Sequence, residues 1–216
     1  MKSDHVFETI ARYGVVPVIV VESVSHAAGL ADAMMEGGLP LAEITFRTPV
    51  AAQVIKAMVS HRPEMLLGAG TLLCAADAQA ARAAGAKFAV APGLNPKTVL
   101  YASQADLPFA PGVCTPSDIE QAMELGCKIL KFFPAEASGG VSMLKAVCAP
   151  YSHTGVKFIP TGGVTLDNLA SYLELDIVMA VGGTWIAKAD DLAAGRWKEI
   201  SERCQKAMEI IRRVRG

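Results

Sequence analysis

The chain of 216 residues is long enough for one compact domain, and a composition of 52% hydrophobic and 19% charged residues excludes an intrinsically disordered protein. A formal net charge of −1 leaves no overall positive surface for nucleic acid or anionic lipid, so an anionic ligand would have to be bound by local groups. The four histidines show no ligand spacing and the five cysteines form no Cys-x-x-Cys pair, which argues against a metal site and a disulfide framework.

The polar amino terminus lacks the apolar core of a signal peptide, and no uncharged run approaches the ~20 apolar residues of a membrane span. An odd number of scattered cysteines is typical of reduced thiols. We therefore expect a cytoplasmic protein that binds neither membrane nor nucleic acid.

Short apolar runs alternate with alanine-rich helical patterns along the whole chain. The predicted strands are, in chain order, 15–21, 42–46, 65–71, 87–91, 108–113, 128–133, 157–161 and 177–181. Between them we predict helices at 25–36, 49–60, 75–84, 116–125, 142–148 and 165–173. A further helix at 6–11 precedes the first strand, and a helix at 197–215 follows the last one with apolar residues on one face.

Eight strand–helix units with strands too apolar to face water predict an α/β fold: a (β/α)8 TIM barrel with an additional N-terminal helix that covers the barrel floor. No break in composition suggests a linker, so we expect residues 1–216 to form a single domain. The alternative is an open, doubly wound sheet, but eight repeats of about two dozen residues fit a closed barrel better.

Lys131 lies in the middle of the apolar run KILKFFP, which predicts a buried sixth strand. Side chains alternate along a strand, so Glu43 and Arg47 share one face of the second strand. Because the second and sixth strands lie opposite each other in an eight-stranded barrel, all three side chains could converge on one ligand.

Desolvation and a neighbouring arginine would both favour the free amine of Lys131, which is a nucleophile for a carbonyl substrate. One alternative is a structural lysine that reaches solvent or pairs with a carboxylate. Another is a simple ion pair between Glu43 and Arg47.

Paired glycines, Gly162 and Gly163 and then Gly182 and Gly183, follow the predicted seventh and eighth strands. Glycines let main-chain N–H groups approach an oxyanion, and the loops after strands seven and eight of such barrels commonly bind phosphate. The sequence therefore predicts a phosphate site there, with two tight turns as the plainer interpretation. The run GAGTLL at 68–73 lacks the third glycine of a dinucleotide fingerprint, so we expect no nicotinamide cofactor.

Seven segments in this order, EITFRT, GAGT, APG, KFFPAE, PTGGV, GGTW and ADDLAAGRW, resemble the 2-keto-3-deoxy-6-phosphogluconate (KDPG) aldolases over residues 15–197. The resemblance implies a class I aldolase of the Entner–Doudoroff pathway, a homotrimer of (β/α)8 barrels that uses no metal and no other cofactor. Its small-molecule substrate would be a phosphorylated keto acid, cleaved to pyruvate and D-glyceraldehyde 3-phosphate. Relatives of this kind commonly also split 4-hydroxy-2-oxoglutarate to pyruvate and glyoxylate.

By the same resemblance, Lys131 would form the Schiff base with the keto carbon and Glu43 would transfer protons. The other implied substrate-binding positions are Arg47 and Thr71 with the main chain at Pro92 for the carboxylate, Phe133 as a pocket wall, Thr161, and Gly162, Gly163, Gly182, Gly183 and Thr184 for the phosphate. Ala91 and Thr184 stand where many relatives have serine.

Three alternatives remain open. An aldolase for the galactonate epimer shares the fold and the lysine, but its relatives resemble EIPLNSP in strand two and lack the threonine of PTGG, whereas this chain has Arg47 and Thr161. A phosphosugar isomerase, epimerase or lyase barrel would use the phosphate site without an imine. A barrel that only binds a ligand is the third, and a metal-dependent aldolase is opposed by the missing histidine set.

Overall fold

The computed structural model describes residues 2–216, and side chains from residue 5 onward, as an α/β fold with a curled parallel sheet. The described strands are β1 (Val15–Ile19), β2 (Leu41–Thr45), β3 (Leu66–Gly70), β4 (Phe88–Val90), β5 (Phe109–Ala110), β6 (Gly112–Val113), β7 (Ile129–Phe132), β8 (Lys157–Phe158) and β9 (Val181–Gly183). Every pair of adjacent strands in these sheets is parallel.

Helices connect most of the strands, as parallel pairing requires. The described α-helices are α1 (Lys2–Tyr13), α2 (Ala27–Glu36), α3 (Ala51–His61), α4 (Ala75–Ala84), α5 (Pro96–Gln104), α6 (Pro116–Glu124), α7 (Gly140–Cys148), α8 (Leu169–Leu173), α9 (Ala189–Ala193) and α10 (Trp197–Arg215). Short 3-10 turns lie at Val24–His26, Glu136–Ser138 and Ala149–Tyr151. No helix in residues 2–216 combines the length and apolar character needed to cross a membrane.

The strands form a six-stranded sheet in the order β5-β4-β3-β2-β1-β9 and a three-stranded sheet in the order β6-β7-β8. Only Pro111 separates β5 from β6, so the chain runs directly from one sheet into the other. At the opposite edges, isolated parallel bridges join Thr161 to Gly182 and Phe158 to Val178. The predicted fifth strand is therefore a single run interrupted at a proline, which has no N–H group for a sheet ladder.

Two glycines of β3 make room for side chains from the neighbouring strands. A Cβ atom on Gly70 would overlap the Glu43 carboxylate, and one on Gly68 would overlap the Phe88 ring. The register of β2 with β3 pairs Glu43 with Gly68 and Thr45 with Gly70. The GAG run thus leaves space inside the curled sheet that a larger residue would fill.

Every residue of β1 and β2 is buried, because the helices cover one side of the sheet and its curvature encloses the other. On the outside, α10 packs against α2, where Trp197 lies over Gly29 and Cys204 lies over Gly37. The predicted apolar face of α10 is confirmed: its buried side chains include Ile200, Cys204, Ala207 and Ile211.

The position predicted for the eighth strand, 177–181, is wrong. Ile177 lies in a turn whose carbonyl accepts a hydrogen bond from Phe158 N (2.8 Å). Pairing with β1 begins only where Val181 N donates to Gly14 O (3.0 Å). Residues 177–179 of the apolar run therefore pair with Phe158 of β8, and β9 starts only at Val181. As a result, Gly182 and Gly183 lie within β9 rather than after it.

Some helix boundaries also differ from the predictions. The predicted helices at 75–84 and 197–215 have those bounds in the structure, and the helix predicted at 6–11 is longer, Lys2–Tyr13. The helix predicted at 165–173 begins only at Leu169, because Thr165 N donates to Asn168 Oδ1 (2.7 Å) and holds residues 165–168 in a turn. Two helices, α5 and α9, were not among those predicted.

Candidate active site

Strand β7 carries Lys131 in the interior of the curled sheet. Its main-chain N donates to Pro111 O (2.8 Å), and the residue is 5% exposed. Strand β2 carries Glu43, which is 2% exposed, and Lys131 Nζ donates to Glu43 Oε1 at 3.3 Å. The structure thus brings together the lysine and the acid that strand alternation placed on facing surfaces.

The surroundings of this pair are mostly apolar. The Lys131 Nζ lies 5.8 Å from the centroid of the Phe133 ring, which is half-buried at the end of β7. Glu43 is the hydrogen-bonding partner of Nζ among the described residues, so the remaining N–H directions of the amine face no protein acceptor there. A buried amine next to one buried carboxylate can exchange a proton with it and can also attack an electrophile.

Arg47 does not join this ion pair. It is exposed in the turn that follows β2, and among the described residues the ion-pair partner of Glu43 is Lys131. The interpretation of Glu43 and Arg47 as an ion pair is therefore wrong. Hydrogen bonds from Thr45 Oγ1 to Ile19 O (3.2 Å) and from Thr48 Oγ1 to Val21 O (2.8 Å) fix the turn that bears Arg47 against the end of β1.

Thr71 follows β3 with a φ of 60°, in the left-handed region that a β-branched residue rarely adopts. Such strained residues are concentrated at functional sites. Pro92 and Gly93 lie over the first residue of β6: a Cβ atom on Gly112 would overlap their peptide group, and Gly112 N donates to Gly93 O (3.2 Å). Because Gly112 pairs with Lys131, the Pro92 main chain lies near the lysine.

A parallel bridge connects the segment of the first glycine pair to the second pair. Gly162 and Gly163 have φ values of 99° and 83°, which glycine adopts without strain, and they follow Thr161, a buried residue. The bridge between Thr161 and Gly182 connects this turn to β9.

The phenyl ring of Phe133 closes the space between Lys131 and the first glycine pair. A Cβ atom on Gly162 would lie 3.3 Å from this ring. Thr184 is exposed directly after β9. Phe133 therefore links Lys131 to the glycine turn, and Thr184 follows the strand that is bridged to this turn.

Two polar arrangements near this end were not predicted. Tyr172 is fully buried and donates its hydroxyl to the Glu136 carboxylate. Asp191 is 3% exposed and accepts hydrogen bonds from Arg203 (2.6 Å) and Arg196 (3.2 Å). The hydrogen bond from Arg203 is the main reason that the pKa of Asp191 lies below its ordinary value. The KFFPAE and ADDLAAGRW segments contain these acids, but the sequence does not show which residues they contact.

A cavity of about 950 Å³ lies at the other end of the strands. Its lining contains Lys128, Phe109 and Lys157, which stand at or just before the amino-terminal ends of their strands, together with Phe7 and Ala11 of α1. None of the predicted site residues lines it. This cavity is therefore separate from the buried pair of Lys131 and Glu43.

The described side chains contain no group of three or more His, Cys, Asp or Glu residues arranged to hold a metal ion. All five cysteines are free thiols. Burial raises the pKa of the Cys127 thiol to about 11 and that of Cys148 to about 12.

Comparison with known proteins identifies the relatives of this chain. Residues 6–203 match the family model described as "Aldolase: KDPG and KHG aldolase". A 2-dehydro-3-deoxy-phosphogluconate aldolase of Treponema pallidum is 43% identical, over 95% of this chain and 97% of the relative. The KHG/KDPG aldolase of Escherichia coli K12 is 41% identical, over 94% of both chains.

A solved structure has the same fold. The KDPG aldolase of Legionella pneumophila, with pyruvate captured at low pH as a covalent carbinolamine intermediate, has a TM-score of 0.87 and 36% identity, over 95% of this chain and 97% of that one. The family match spans far more than half of the chain. The protein therefore belongs to the KDPG and KHG aldolase family.

Proposed function

We propose that this protein is a class I aldolase that cleaves 2-keto-3-deoxy-6-phosphogluconate to pyruvate and D-glyceraldehyde 3-phosphate, a reaction of the Entner–Doudoroff pathway. The observation that carries the proposal is the contact between Lys131 Nζ and Glu43 Oε1, 3.3 Å long and buried inside the sheet. The covalent carbinolamine of pyruvate in the Legionella relative supports the same chemistry.

The first half of the reaction joins substrate and enzyme. Glu43 first takes a proton from the Lys131 ammonium, and the free amine then adds to the C2 keto carbon, which forms a C–N bond while Glu43 gives that proton to the keto oxygen, so that a carbinolamine results. Glu43 next takes the proton that the nitrogen loses and passes it to the departing hydroxyl, so that water leaves, a protonated imine remains and Glu43 is a carboxylate. The 3.3 Å contact allows this transfer directly or through one water molecule.

The second half breaks the carbon–carbon bond. Glu43, again a carboxylate, takes the proton of the C4 hydroxyl, and the C3–C4 electron pair moves to the imine nitrogen, which leaves an enamine and D-glyceraldehyde 3-phosphate. Protonation of the enamine at C3 and hydrolysis of the imine then release pyruvate and restore Lys131. Among the described residues the other buried carboxylate is Asp191, which is held by two arginines, so Glu43 is the better base.

The remaining predicted residues bind the two anionic ends of the substrate. We assign the keto-acid carboxylate to Arg47, Thr71 and the main chain at Pro92, with Phe133 as a wall of the pocket. We assign the phosphate to the place where the glycine turn and β9 meet, at the bridge between Thr161 and Gly182. The groups that would bind it are the main chain of Gly162, Gly163, Gly182 and Gly183, and the Thr184 hydroxyl.

For the fold, we infer one closed (β/α)8 barrel over residues 1–216, with α1 as an additional N-terminal helix. The single residue between β5 and β6 supports closure at one edge, and the bridges from Phe158 to Val178 and from Thr161 to Gly182 support closure at the other. We also infer a homotrimer in the cytoplasm: exposed Leu73 and Leu100 offer apolar surface for a subunit contact, and free thiols suit a reducing compartment. Light scattering tests the trimer.

Trapping the imine tests the central proposal. With pyruvate and borohydride, peptide mapping should find a pyruvate-derived mass on Lys131 and none on Lys128, an exposed lysine on the same segment that serves as an internal control. Absence of the Lys131 adduct would favour a phosphosugar isomerase, epimerase or lyase without an imine.

Substrate choice needs a separate measurement. The presence of Arg47 and Thr161 favours the gluconate over the galactonate epimer. We expect faster cleavage of the gluconate compound, with slower cleavage of 4-hydroxy-2-oxoglutarate as a second activity. Faster cleavage of the galactonate compound would reverse the assignment.

A further inference from the structure

Glu136 brings a negative charge next to the glycine turn assigned to phosphate. Its main-chain N donates to Gly162 O (2.9 Å), and a Cβ atom on Gly163 would lie 2.5 Å from Glu136 Cβ. The residue as a whole is exposed, so its carboxylate is not confined by burial. A free carboxylate at this place would repel a dianionic phosphate group.

Tyr172 of α8 restrains that carboxylate. The phenol is fully buried, and its hydroxyl donates to Glu136 Oε1. Burial and the neighbouring carboxylate both raise the pKa of Tyr172, so the hydroxyl stays a hydrogen-bond donor at neutral pH. Tyr172 is thus a fixed donor inside the protein that holds one oxygen of an otherwise exposed acid.

Gly140 makes the contact possible. Its φ is 62°, and a Cβ atom there would lie 3.1 Å from Glu136 Oε1 and 3.6 Å from the Tyr172 hydroxyl. The preceding Gly139 also has a positive φ, 111°. The two glycines therefore turn the chain back over the hydrogen bond, and a residue larger than glycine would crowd it.

The same segment is tied to the glycine turn through its main chain. Ala135 N donates to Thr161 O (2.8 Å), in addition to the bond from Glu136 to Gly162. Lys131 lies on β7 and Phe133 directly after it, both ahead of this segment in the chain, and the glycine turn follows β8. The position of the Glu136 side chain therefore affects the charge next to the glycine turn.

We propose that Tyr172 and Glu136 are positioning residues for the phosphorylated end of the substrate: Tyr172 holds the Glu136 carboxylate so that its charge does not oppose phosphate at Gly162 and Gly163. This inference rests on the proposed function, and it concerns only the phosphate half of the site.

Steady-state cleavage of 2-keto-3-deoxy-6-phosphogluconate by Tyr172→Phe tests the inference. This change keeps the ring and removes only the hydroxyl, so KM should rise roughly five- to tenfold, as expected for one uncompensated charge near the phosphate. Exchange of the pyruvate methyl protons with D2O, followed by NMR, needs the imine but no phosphate, and its rate should stay within twofold of the wild type. An unchanged KM would overturn the proposal.

A second variant separates charge from packing. In the double variant Tyr172→Phe with Glu136→Gln, the freed side chain carries no charge, so KM should return to within about twofold of the wild-type value. The single variant Glu136→Gln should show a KM equal to or below that of the wild type. A double variant as poor as Tyr172→Phe alone would mean that the tyrosine acts only in packing, which would also overturn the proposal.

The chain supplies a matched control. Tyr151, on the 3-10 turn Ala149–Tyr151, likewise donates its hydroxyl to a glutamate, Glu120 Oε1, at 3.0 Å. Glu120 lies on α6, whereas Glu136 is bonded to the glycine turn through its main chain. Tyr151→Phe should leave KM unchanged, and an equal rise in KM would contradict a local effect. If the wild type itself does not cleave the phosphorylated substrate, the proposed function fails; if it does and Tyr172→Phe behaves as wild type, only this inference fails.

Discussion

Lys131 Nζ lies 3.3 Å from Glu43 Oε1, although 88 positions separate the two residues and their strands belong to different sheets. Removing two charges from water costs several kcal/mol for each ion, roughly, and one hydrogen bond between them does not fully offset that cost. A pair of apolar residues would stabilise the fold at least as well. We therefore interpret the pair by its chemistry, with proton exchange between amine and carboxylate as its use.

Glu43→Gln tests that interpretation. Gln keeps the shape but cannot take a proton, so the cleavage rate should fall about 10²- to 10⁴-fold, while borohydride still traps pyruvate on Lys131 after longer incubation. A stopped assay of 2-keto-3-deoxy-6-phosphogluconate cleavage measures the rate, and intact-mass measurement after borohydride treatment measures the trapped pyruvate. Glu64→Gln is the control, because this carboxylate is exposed and lies 3.9 Å from Arg62. A Glu43→Gln rate within twofold of the wild type would remove Glu43 from the mechanism.

Strand alternation was sufficient to predict the central pair, because it depends only on residue parity and on the number of strands. The pattern of apolar runs, by contrast, placed Gly182 and Gly183 after a strand ending at Val181, whereas they lie in β9. The error arose because an apolar run shows where burial occurs, but the partner strand decides where pairing starts. Here β1 sets that point, through the bond from Val181 N to Gly14 O.

The hydrogen bond between Tyr172 and Glu136 could not be predicted from sequence. It joins a buried phenol on α8 to a turn after β7, and it depends on the positive φ of Gly140. The segment EASGG, residues 136–140, contains no sequence pattern that predicts this contact. Arg47 illustrates a different difficulty. Its placement on the same face as Glu43 required the strand to continue past Thr45, whereas β2 ends there and Arg47 lies in the following turn.

Gly70→Ala tests the packing around Glu43. The added methyl group would overlap the Glu43 carboxylate, so we expect the free energy of unfolding to fall by about 1–3 kcal/mol and cleavage to fall with it. Urea denaturation measures the first effect and turnover the second.

The double variant Gly70→Ala with Glu43→Ala provides the control for that overlap. Without the carboxylate the methyl group has space, so stability should recover relative to Gly70→Ala while cleavage stays low. A double variant less stable than Gly70→Ala would show that the overlap is not the cause.

Thr71→Gly should separate stability from activity. A β-branched residue with a φ of 60° is strained, so glycine should raise the free energy of unfolding by about 1 kcal/mol. Loss of the hydroxyl should raise KM for the substrate, because we assign Thr71 to the keto-acid carboxylate. Asp106→Gly is the matched control: Asp106 has a φ of 51° and lines the cavity at the other end, so it should raise stability without changing KM. Equal KM values for Thr71→Gly and wild type would contradict the assignment.

Asp191→Asn should reduce stability in a way that depends on pH. In the folded protein the pKa of Asp191 lies below its ordinary value of 3.8, chiefly because Arg203 donates to the carboxylate. A lowered pKa means that the ionised carboxylate stabilises the fold above pH 3.8, and that this contribution is lost as the pH falls through the folded pKa. Arg203 also donates to Ile186 O (2.8 Å). Through Arg203, the Asp191 carboxylate therefore helps to fix the segment that follows Thr184.

The difference in free energy of unfolding between wild type and Asp191→Asn should therefore be about 1–3 kcal/mol at pH 7 and should shrink below pH 3.8. Urea denaturation at pH 7, 5, 4 and 3 measures this difference. Asp190→Asn, next to it but exposed, should change stability by no more than about 0.5 kcal/mol at each pH. A gap between wild type and Asp191→Asn that stays constant across this range would show that its charge is not what holds α9 and α10 together, because only the ionised form accepts charge-assisted bonds from both arginines.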